Sequence, residues 1–319
     1  MLKILLGGSP CTFWSIMQKD RETKAEGQGW ELFLNYCIAK EKYKPDYFIY
    51  ENNKSASQEI KNMIQEHLNA PLYHINSALV SAQHRERFYV TNIPNITHPN
   101  DKKILIEDVL CNEEIQPFDV SYSQTIQKSL PNLVNKYGYL PPMFNAYNRV
   151  EIKNKSHTLT TGSMVSSSCA LLIFEPTNKP IHKVKNGLVT IQRNIYPTLL
   201  PDGYYYIRKL SINEQRKLQT VPEWYKMSCS EAQNHKLLAN GWTVDIISYL
   251  LSHIPNIKNQ EVEVLSMYDG MSCGQIALKN LNVNIKNYYS YEIDKYAIQT
   301  TQENFPKTIQ LGDAFSIRK

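Results

Sequence analysis

The sequence lacks several features that would assign it to a well-marked class. No apolar run is long enough to cross a bilayer, and the start of the chain is too short for a secretory signal. The six cysteines are scattered, without a Cys-x-x-Cys pair or a histidine cluster at zinc spacing. We therefore expect a soluble, cytoplasmic protein with no membrane partner, no disulfide scaffold and no metal.

A strong charge of one sign is also absent. The 319 residues carry 35 Lys and Arg against 30 Asp and Glu, which gives a formal charge of +5. So small an excess permits an anionic partner without requiring one. The length suits one large domain or two unequal domains with a sizeable core.

The amino-terminal part of the chain alternates short apolar runs with segments whose apolar residues have helical spacing. Strands separated by helices of this size indicate a parallel α/β sheet. The same alternation returns after residue 260. Strands are expected at 3–6, 46–50, 71–75, 87–92, 263–268, 288–291 and 308–311, and helices at 30–41, 57–68, 275–281 and 294–305.

The middle of the chain has no such alternation. Between about 93 and 206, scattered Pro and Asn and many Tyr and Thr residues give no helical period. This indicates either a β-rich accessory domain or a set of long loops. Helices are expected next, at 211–219, 231–239 and 245–253, with Ser211 and Glu214 as a capping box for the first. A polar connector at 255–260 follows them.

The strand at 263–268 runs directly into a glycine-containing turn, 269–274, and then into a helix, an arrangement typical of nucleotide binding. Glu292 lies roughly 20 residues further on, where an acid bonds ribose hydroxyls, and Asp313 is placed for an adenine amino group. The turn lacks the G-x-G-x-x-G pattern that favours a pyrophosphate, so it better suits a nucleoside such as S-adenosylmethionine. The alternative is an ordinary strand, turn and helix with a surface glutamate.

Cys11 follows the first strand and should therefore lie at the carboxyl edge of the sheet, where α/β proteins bind ligands. A thiol there becomes a nucleophile when a cation or a helix N-terminus stabilises its thiolate; the alternative is a buried structural cysteine. Glu51 ends the next strand and is expected at the same edge, as a proton donor or as a surface acid. The polar segment 12–27, with Lys19 and Arg21, suits a loop that closes over an anionic substrate.

Arg85 and Arg87 occupy alternate positions at the entry to a strand, so we expect both side chains to face the same way. Such a pair is suited to clamping a carboxylate and a base carbonyl, or to binding phosphates. The alternative is a solvated, charged strand end.

Together, these segments resemble the DNA cytosine-5 methyltransferases. The resemblance covers nearly the whole chain outside about 95–205, and some details, including Trp242-Thr243-Val244, look closest to the animal de novo enzymes. The motifs that carry it are Gly7-Gly8-Ser9-Pro10-Cys11, Glu51-Asn52, Gln83-x-Arg85-x-Arg87, the segment from Arg208 through Glu214 and Gln219 to Pro222, Tyr268-Asp269-Gly270 through Gly274, Glu292, and Gly312-Asp313.

The resemblance implies a Rossmann-like, doubly wound α/β fold that uses S-adenosylmethionine, with a mostly parallel sheet and a small β-rich target-recognition domain. It implies methyl transfer to C5 of a flipped-out cytosine at a specific site in double-stranded DNA. Cys11 would add to C6 of the base, Glu51 would hold N3 and the exocyclic amine, and Arg87 would contact O2. Arg85 would position Cys11 or Glu51.

The resemblance also implies two further sets of binding residues. The cofactor would be held by Pro10, Asn240, Trp242, Thr243, Tyr268, Asp269, Gly270, Ser272, Cys273, Gly274, Glu292, Ile293, Asp313 and Ala314. The DNA would be contacted by Ser9, Lys19, Arg21, Thr158, Thr160 and Arg193.

The order of the motifs differs from that of the family, which begins with the cofactor motif. Here the nucleophile motif comes first and the cofactor motif last, which indicates a circular permutation with the old termini joined at 255–260. The expected organisation is a first catalytic part at 1–145, a target-recognition domain at 146–236 and a second, cofactor-binding catalytic part at 237–319.

Two other functions stay open from the sequence. An RNA cytosine-5 methyltransferase has the same base chemistry, and a non-catalytic DNA-binding paralogue has the same fold. A dehydrogenase is disfavoured by the missing third glycine. The residues do not specify the DNA site, nor whether a restriction enzyme is paired with the protein in a bacterial or phage-infected cell.

Overall fold

The computed structural model describes every residue except Met17, Asn112, Glu114, 120–122 and 163–169. Its strands are β1 (Leu2–Gly7), β2 (Tyr47–Asn53), β3 (Leu72–Asn76), β4 (Glu86–Thr91), β5 (Met143–Asn145), β6 (Val150–Glu151), β7 (Leu171–Thr177), β8 (His182–Lys185), β9 (Leu188–Ile191), β10 (Asn194–Pro197), β11 (Gly203–Arg208), β12 (Glu261–Met267), β13 (Asn284–Tyr291) and β14 (Ile309–Gln310). The α-helices are α1 (Gly27–Tyr43), α2 (Gln58–Leu68), α3 (Ile106–Val109), α4 (Gln124–Tyr137), α5 (Ile212–Leu218), α6 (Glu231–Asn240), α7 (Val244–Ser252), α8 (Cys273–Asn280) and α9 (Lys295–Asn304).

The first sheet contains, in the described residues, seven strands in the order β14-β13-β12-β1-β2-β4-β3. All run parallel except β4, which is antiparallel to β2 and β3. The short connection between β3 and β4 explains this exception, because a parallel neighbour requires a longer crossover. The predicted α/β fold with a mostly parallel sheet is confirmed.

Apolar side chains of the central strand β1 alternate between the two faces of this sheet. Ile4 and Leu6 pack against α7 and α8, whereas Leu5 packs against α1 and α2. All three side chains are fully buried. The sheet is thus covered on both faces, as expected for a doubly wound fold.

The second sheet is antiparallel, with the strand order β10-β9-β8-β11-β7-β5-β6 in the described residues. Of the two alternatives for the middle of the chain, the β-rich one is therefore correct. None of the described helices combines the length and the apolar character that a bilayer span requires.

Helix α4 corrects the expectation that residues 93–206 contain no helical period. Ser123 caps this helix by accepting a hydrogen bond from Ile126, and the helix buries Ile126, Leu130 and Leu133 against the second sheet. These apolar positions do have helical spacing, but Pro131 lies inside the helix and interrupts the pattern.

The first sheet has a simple order when its strands are renumbered from β12. Counting β12 to β14 first and then β1 to β4, the spatial order becomes 3-2-1-4-5-7-6. Its first five positions match the doubly wound order of dinucleotide-binding folds. Between α7 and β12, the chain makes only a short 3-10 turn, Ile257–Asn259.

Candidate active site

Four neighbouring strands of the first sheet share one level at their carboxyl ends. Gly7 of β1 pairs with Met267 of β12 and with Tyr50 of β2, and Met267 pairs with Tyr291 of β13. Because these strands are parallel, the residues that follow the paired positions lie at the same edge of the sheet. They are the cysteine turn (residues 8–11), Glu51, the glycine turn (residues 268–274) and Glu292.

The Glu51 carboxylate is held at both of its oxygens. Oε1 lies 2.9 Å from Arg87 Nε, and Oε2 accepts a 3.0 Å hydrogen bond from the Trp242 indole nitrogen. The side chain is only 12% exposed. Glu51 lies within β2, which extends to Asn53, and not at the strand end where the sequence pattern placed it.

Gly8 allows the cysteine turn to approach the backbone of Glu51. A Cβ at Gly8 would lie 2.5 Å from the Glu51 carbonyl oxygen and 2.9 Å from its Oε2. Contacts this short are essentially never adopted by real Cβ atoms. A side chain at position 8 would therefore push the cysteine turn and Glu51 apart.

A buried hydrogen-bond network of hydroxyl and amide groups connects the cysteine turn to β2. Ser9 Oγ lies 2.7 Å from the Tyr50 hydroxyl, and Asn52 Nδ2 donates to the Ser9 carbonyl at 2.9 Å. Ser9 is 3% exposed and its hydroxyl bonds within the protein, while its expected contact with DNA stays a prediction. Sequence reasoning missed Tyr50, although a tyrosine in a buried strand directly before Glu51 is a signal for such a contact.

Cys11 is exposed and begins a short 3-10 turn, Cys11–Phe13, while Pro10 before it is also exposed. The following polar segment is anchored by Trp14, which is fully buried and donates to Glu22 at 3.2 Å. Arg21 is half-buried and donates to the Ser55 carbonyl at 2.7 Å. Of the two cations expected to meet DNA from this segment, Lys19 is the exposed one.

The two arginines of the predicted pair lie near each other and near Glu51, but they make different hydrogen bonds. Arg87 pairs with Glu51, whereas Arg85 is buried and donates to the carbonyls of Leu159, Ala239 and Gly241 at 3.3, 3.0 and 2.8 Å. His84 and Glu86, which alternate with them, are exposed. Burial, together with the nearby Arg87 charge, lowers the pKa of Arg85 to about 9.

The glycine turn contains three residues in the left-handed backbone region, of which only Gly270 is a glycine. Tyr268, Gly270 and Ser272 have φ values of 59°, 58° and 60°. The turn is tied to β13 because Glu292 accepts hydrogen bonds from the backbone N–H groups of Gly270, at 2.7 Å, and of Ile293 and Asp294, both at 2.8 Å.

Asp269 supports the turn from inside. Its carboxylate accepts hydrogen bonds from the hydroxyls of Ser266 and Ser272 at 2.6 Å, Tyr288 at 2.8 Å and Ser290 at 3.2 Å. Burial raises the pKa of Asp269, and the serine and tyrosine hydrogen bonds oppose this rise. Ser272 was expected to hold the cofactor, but the other three hydroxyls were missed from the sequence, although polar residues in buried strands, such as Tyr288 and Ser290 at alternate positions of β13, were the available signal.

Other residues expected to hold a cofactor fall into two groups. One group is packed inside: a Cβ on Gly274 would lie 2.5 Å from Leu6 Cδ1, burial raises the pKa of Cys273 to about 12, and Thr243 and Ala314 are buried. The second group faces solvent: Asn240, Ile293 (74% exposed) and Asp313, which accepts a hydrogen bond from the Phe315 N–H. Tyr268 is half-buried, and its hydroxyl donates to the Leu32 carbonyl at 2.8 Å.

Three residues were expected to contact DNA from the middle of the chain. Thr158 donates to the His84 carbonyl at 2.6 Å, and the Thr160 carbonyl lies 2.8 Å from the buried His235 ring. Arg193 is exposed in the turn between β9 and β10. Among the described residues, no three His, Cys, Asp or Glu side chains gather as a metal site would require.

Comparison with known proteins gives a family and several relatives. The model of the C-5 cytosine-specific DNA methylase family matches residues 1–256. The type II methyltransferase M.BspRI of Lysinibacillus sphaericus is 22% identical over 263 residues, which are 74% of this chain and 54% of that protein. The DNA (cytosine-5)-methyltransferase DRM2 of rice is 24% identical over 260 residues, 78% of this chain and 37% of that protein.

The chain thus spans about half the length of the bacterial relative and less of the plant one. Among solved structures, the Dnmt2 methyltransferase of S. pombe is similar at 17% identity and a TM-score of 0.44, over 78% of this chain and 76% of that one.

Proposed function

We propose, from the premise that this chain belongs to the C-5 cytosine-specific DNA methylases, that it transfers a methyl group from S-adenosylmethionine to C5 of a cytosine in duplex DNA. The observation that carries the proposal is the shared level of β1, β2, β12 and β13. That register puts Cys11, Glu51 and the glycine turn at one edge of the sheet.

The proposed chemistry begins at Cys11, because C5 of cytosine is a poor nucleophile. The thiolate of this exposed residue adds to C6 of the base, and the resulting enamine makes C5 nucleophilic. C5 then takes the electrophilic methyl group that S-adenosylmethionine would supply, and the methyl–sulfur bond breaks, so that the neutral thioether S-adenosylhomocysteine leaves. Loss of the C5 proton to a base and of the Cys11 thiolate from C6 then restores the aromatic ring.

Glu51 is the proposed partner of N3 and the exocyclic amine. Each carboxylate oxygen has two lone pairs, and the described contacts place one donor on each, Arg87 on Oε1 and Trp242 on Oε2. One lone pair on each oxygen therefore remains: one accepts from the exocyclic amine, and the other carries the proton that Glu51 donates to N3 as the thiolate adds to C6. Arg87, held beside Glu51, is the proposed contact of O2.

The residues around the glycine turn fit an adenosine carrying a sulfonium group. A Cβ at Gly270 would meet none of the described residues within 4 Å, which leaves room for a ligand to approach the backbone there. Ile293 offers an exposed apolar surface for an adenine face. Glu292 Oε1 accepts two backbone N–H groups and Oε2 accepts one, which leaves Oε2 a lone pair for a ribose hydroxyl.

We assign DNA recognition to the second sheet and its loops, which lie in the proposed target-recognition domain at 146–236 except for β5 (Met143–Asn145). A base inside a duplex is inaccessible to a thiol, so the target cytosine must leave the stack. The exposed cations Lys19 and Arg193 are the proposed phosphate contacts. The proposed catalytic parts are 1–145 and 237–319.

A circular permutation accounts for the order of these parts. The family match ends at residue 256, directly before β12. The strands numbered from β12 follow the doubly wound order, and a short turn connects α7 to β12. Both observations support a permuted chain in which the cofactor-binding part follows the nucleophile part.

Methyl transfer from radiolabelled S-adenosylmethionine tests the proposal. Duplex DNA with cytosine should accept label, whereas tRNA and a duplex with 5-methylcytosine in place of cytosine should not. Cys11→Ser should abolish transfer, while the matched control Cys229→Ser, a change at a half-buried cysteine beside Thr300 of α9, should retain it. Full activity of Cys11→Ser would contradict the covalent mechanism, and labelling of tRNA alone would favour an RNA substrate.

A further inference from the structure

The Trp242 indole makes a contact that cofactor binding does not require. Its Nε1 donates to Glu51 Oε2 at 3.0 Å, across 191 positions of the sequence. Trp242 lies between α6 and α7, whereas Glu51 lies in β2. The contact therefore joins two separate parts of the chain at the carboxylate proposed to meet the base.

The backbone on both sides of Trp242 is firmly held. The Gly241 carbonyl accepts hydrogen bonds from Arg85 at 2.8 Å and from Gln219 at 3.3 Å. On the other side, the Thr243 hydroxyl donates to Gln219 Oε1 at 3.0 Å and lies 2.8 Å from the Ser77 hydroxyl. The indole thus starts from a fixed point and has little freedom to follow a moving carboxylate.

We infer that Trp242 is a positioning residue that fixes the plane of the Glu51 carboxylate for the target base. A single donor, Arg87 at Oε1, leaves the carboxylate able to turn about that contact. A second donor at Oε2 removes this freedom. A fixed plane matters because N3 and the exocyclic amine of cytosine lie in one plane and must meet both oxygens together.

The inference rests on the proposed function, and it predicts a specific kinetic defect. Trp242→Phe keeps an aromatic ring but removes the only hydrogen-bond donor of the side chain. A hydrogen bond to a charged group contributes enough that its loss should lower kcat about tenfold or more. The KM for DNA should stay within about twofold, because phosphate contacts dominate DNA affinity.

The matched control is Trp224→Phe, the same change at a partly exposed tryptophan that packs against Phe305. It should leave kcat unchanged. If Trp242→Phe has the kcat of the wild type in an assay where the wild type is active, the inference is wrong. If the wild type itself transfers no methyl group to cytosine DNA, the proposed function fails instead.

Nuclear magnetic resonance of the free protein tests the hydrogen bond between Trp242 and Glu51 without a methyl-transfer assay. The chain has four tryptophans, so ¹⁵N-indole labelling should give four N–H signals, with the Trp242 signal identified by its loss in Trp242→Phe. Glu51→Gln removes the carboxylate charge and should move the Trp242 proton signal upfield. The Trp14 signal, whose indole bonds Glu22, should not move. If the Trp242 signal has the same position in the wild type and in Glu51→Gln, the inference is wrong, whatever the kinetic results are.

Discussion

Gly8→Ala tests whether the fit between the cysteine turn and β2 sets the rate of methyl transfer. The added Cβ would lie 2.5 Å from the Glu51 carbonyl oxygen, and separations below 3.0 Å are essentially never adopted. The turn and β2 must therefore part by at least 0.5 Å. A misplacement of about 1 Å costs roughly 100-fold in rate, so this change should lower kcat about tenfold.

The assay is methyl transfer to cytosine-containing duplex DNA, with thermal unfolding followed by circular dichroism to show that Gly8→Ala is folded. The matched control is Gly162→Ala, because a Cβ there would meet no atom of the described residues closer than 3.9 Å. The control should keep the kcat of the wild type. A Gly8→Ala protein that is folded and fully active would refute the reasoning, since it would show that the site tolerates the displacement.

Two further predictions follow from burial. In urea denaturation, Arg208→Leu should lower the free energy of unfolding by about 3–5 kcal/mol. The reason is that the fully buried Glu214 carboxylate, which accepts hydrogen bonds from Arg208 at 2.8 and 2.9 Å, would lose its cation. Glu175→Gln, at the partly exposed end of the same network, should lower it by less than about 1 kcal/mol, and equal losses for the two variants would contradict this explanation. Iodoacetamide at pH 8 should modify the exposed Cys11 before it modifies Cys37 or Cys273. Burial raises the pKa of Cys37 and of Cys273 to about 12, which keeps these two side chains as unreactive thiols. If peptide mass mapping finds Cys273 modified first, the site opens in solution.

Local signals predicted much of the fold. The apolar run of β1 and the capping box of Ser211 and Glu214 depend on neighbouring residues, and both lie where the pattern placed them. Ser57 likewise caps α2 by accepting from Ile60. The missed helix α4 has the same kind of cap, but Pro131 interrupts its pattern.

Side-chain directions at the site were less predictable, because they depend on partners far along the chain. Arg85 donates to carbonyls at positions 159, 239 and 241, which no local pattern predicts. Ser9 turns inward to Tyr50. The sequence identified the polar residues at this edge, but their directions are set by tertiary contacts.

The pairing of β1 with β12 has a consequence for how the protein is made. Leu2 and its strand neighbours pair with residues such as Val262, far later in synthesis. Until β12 leaves the ribosome, β1, the strand that leads into the cysteine turn, has one open edge, an arrangement prone to wrong pairing. Closure over so long a loop is slow, so the thiol and the glycine turn come together only near the end of folding.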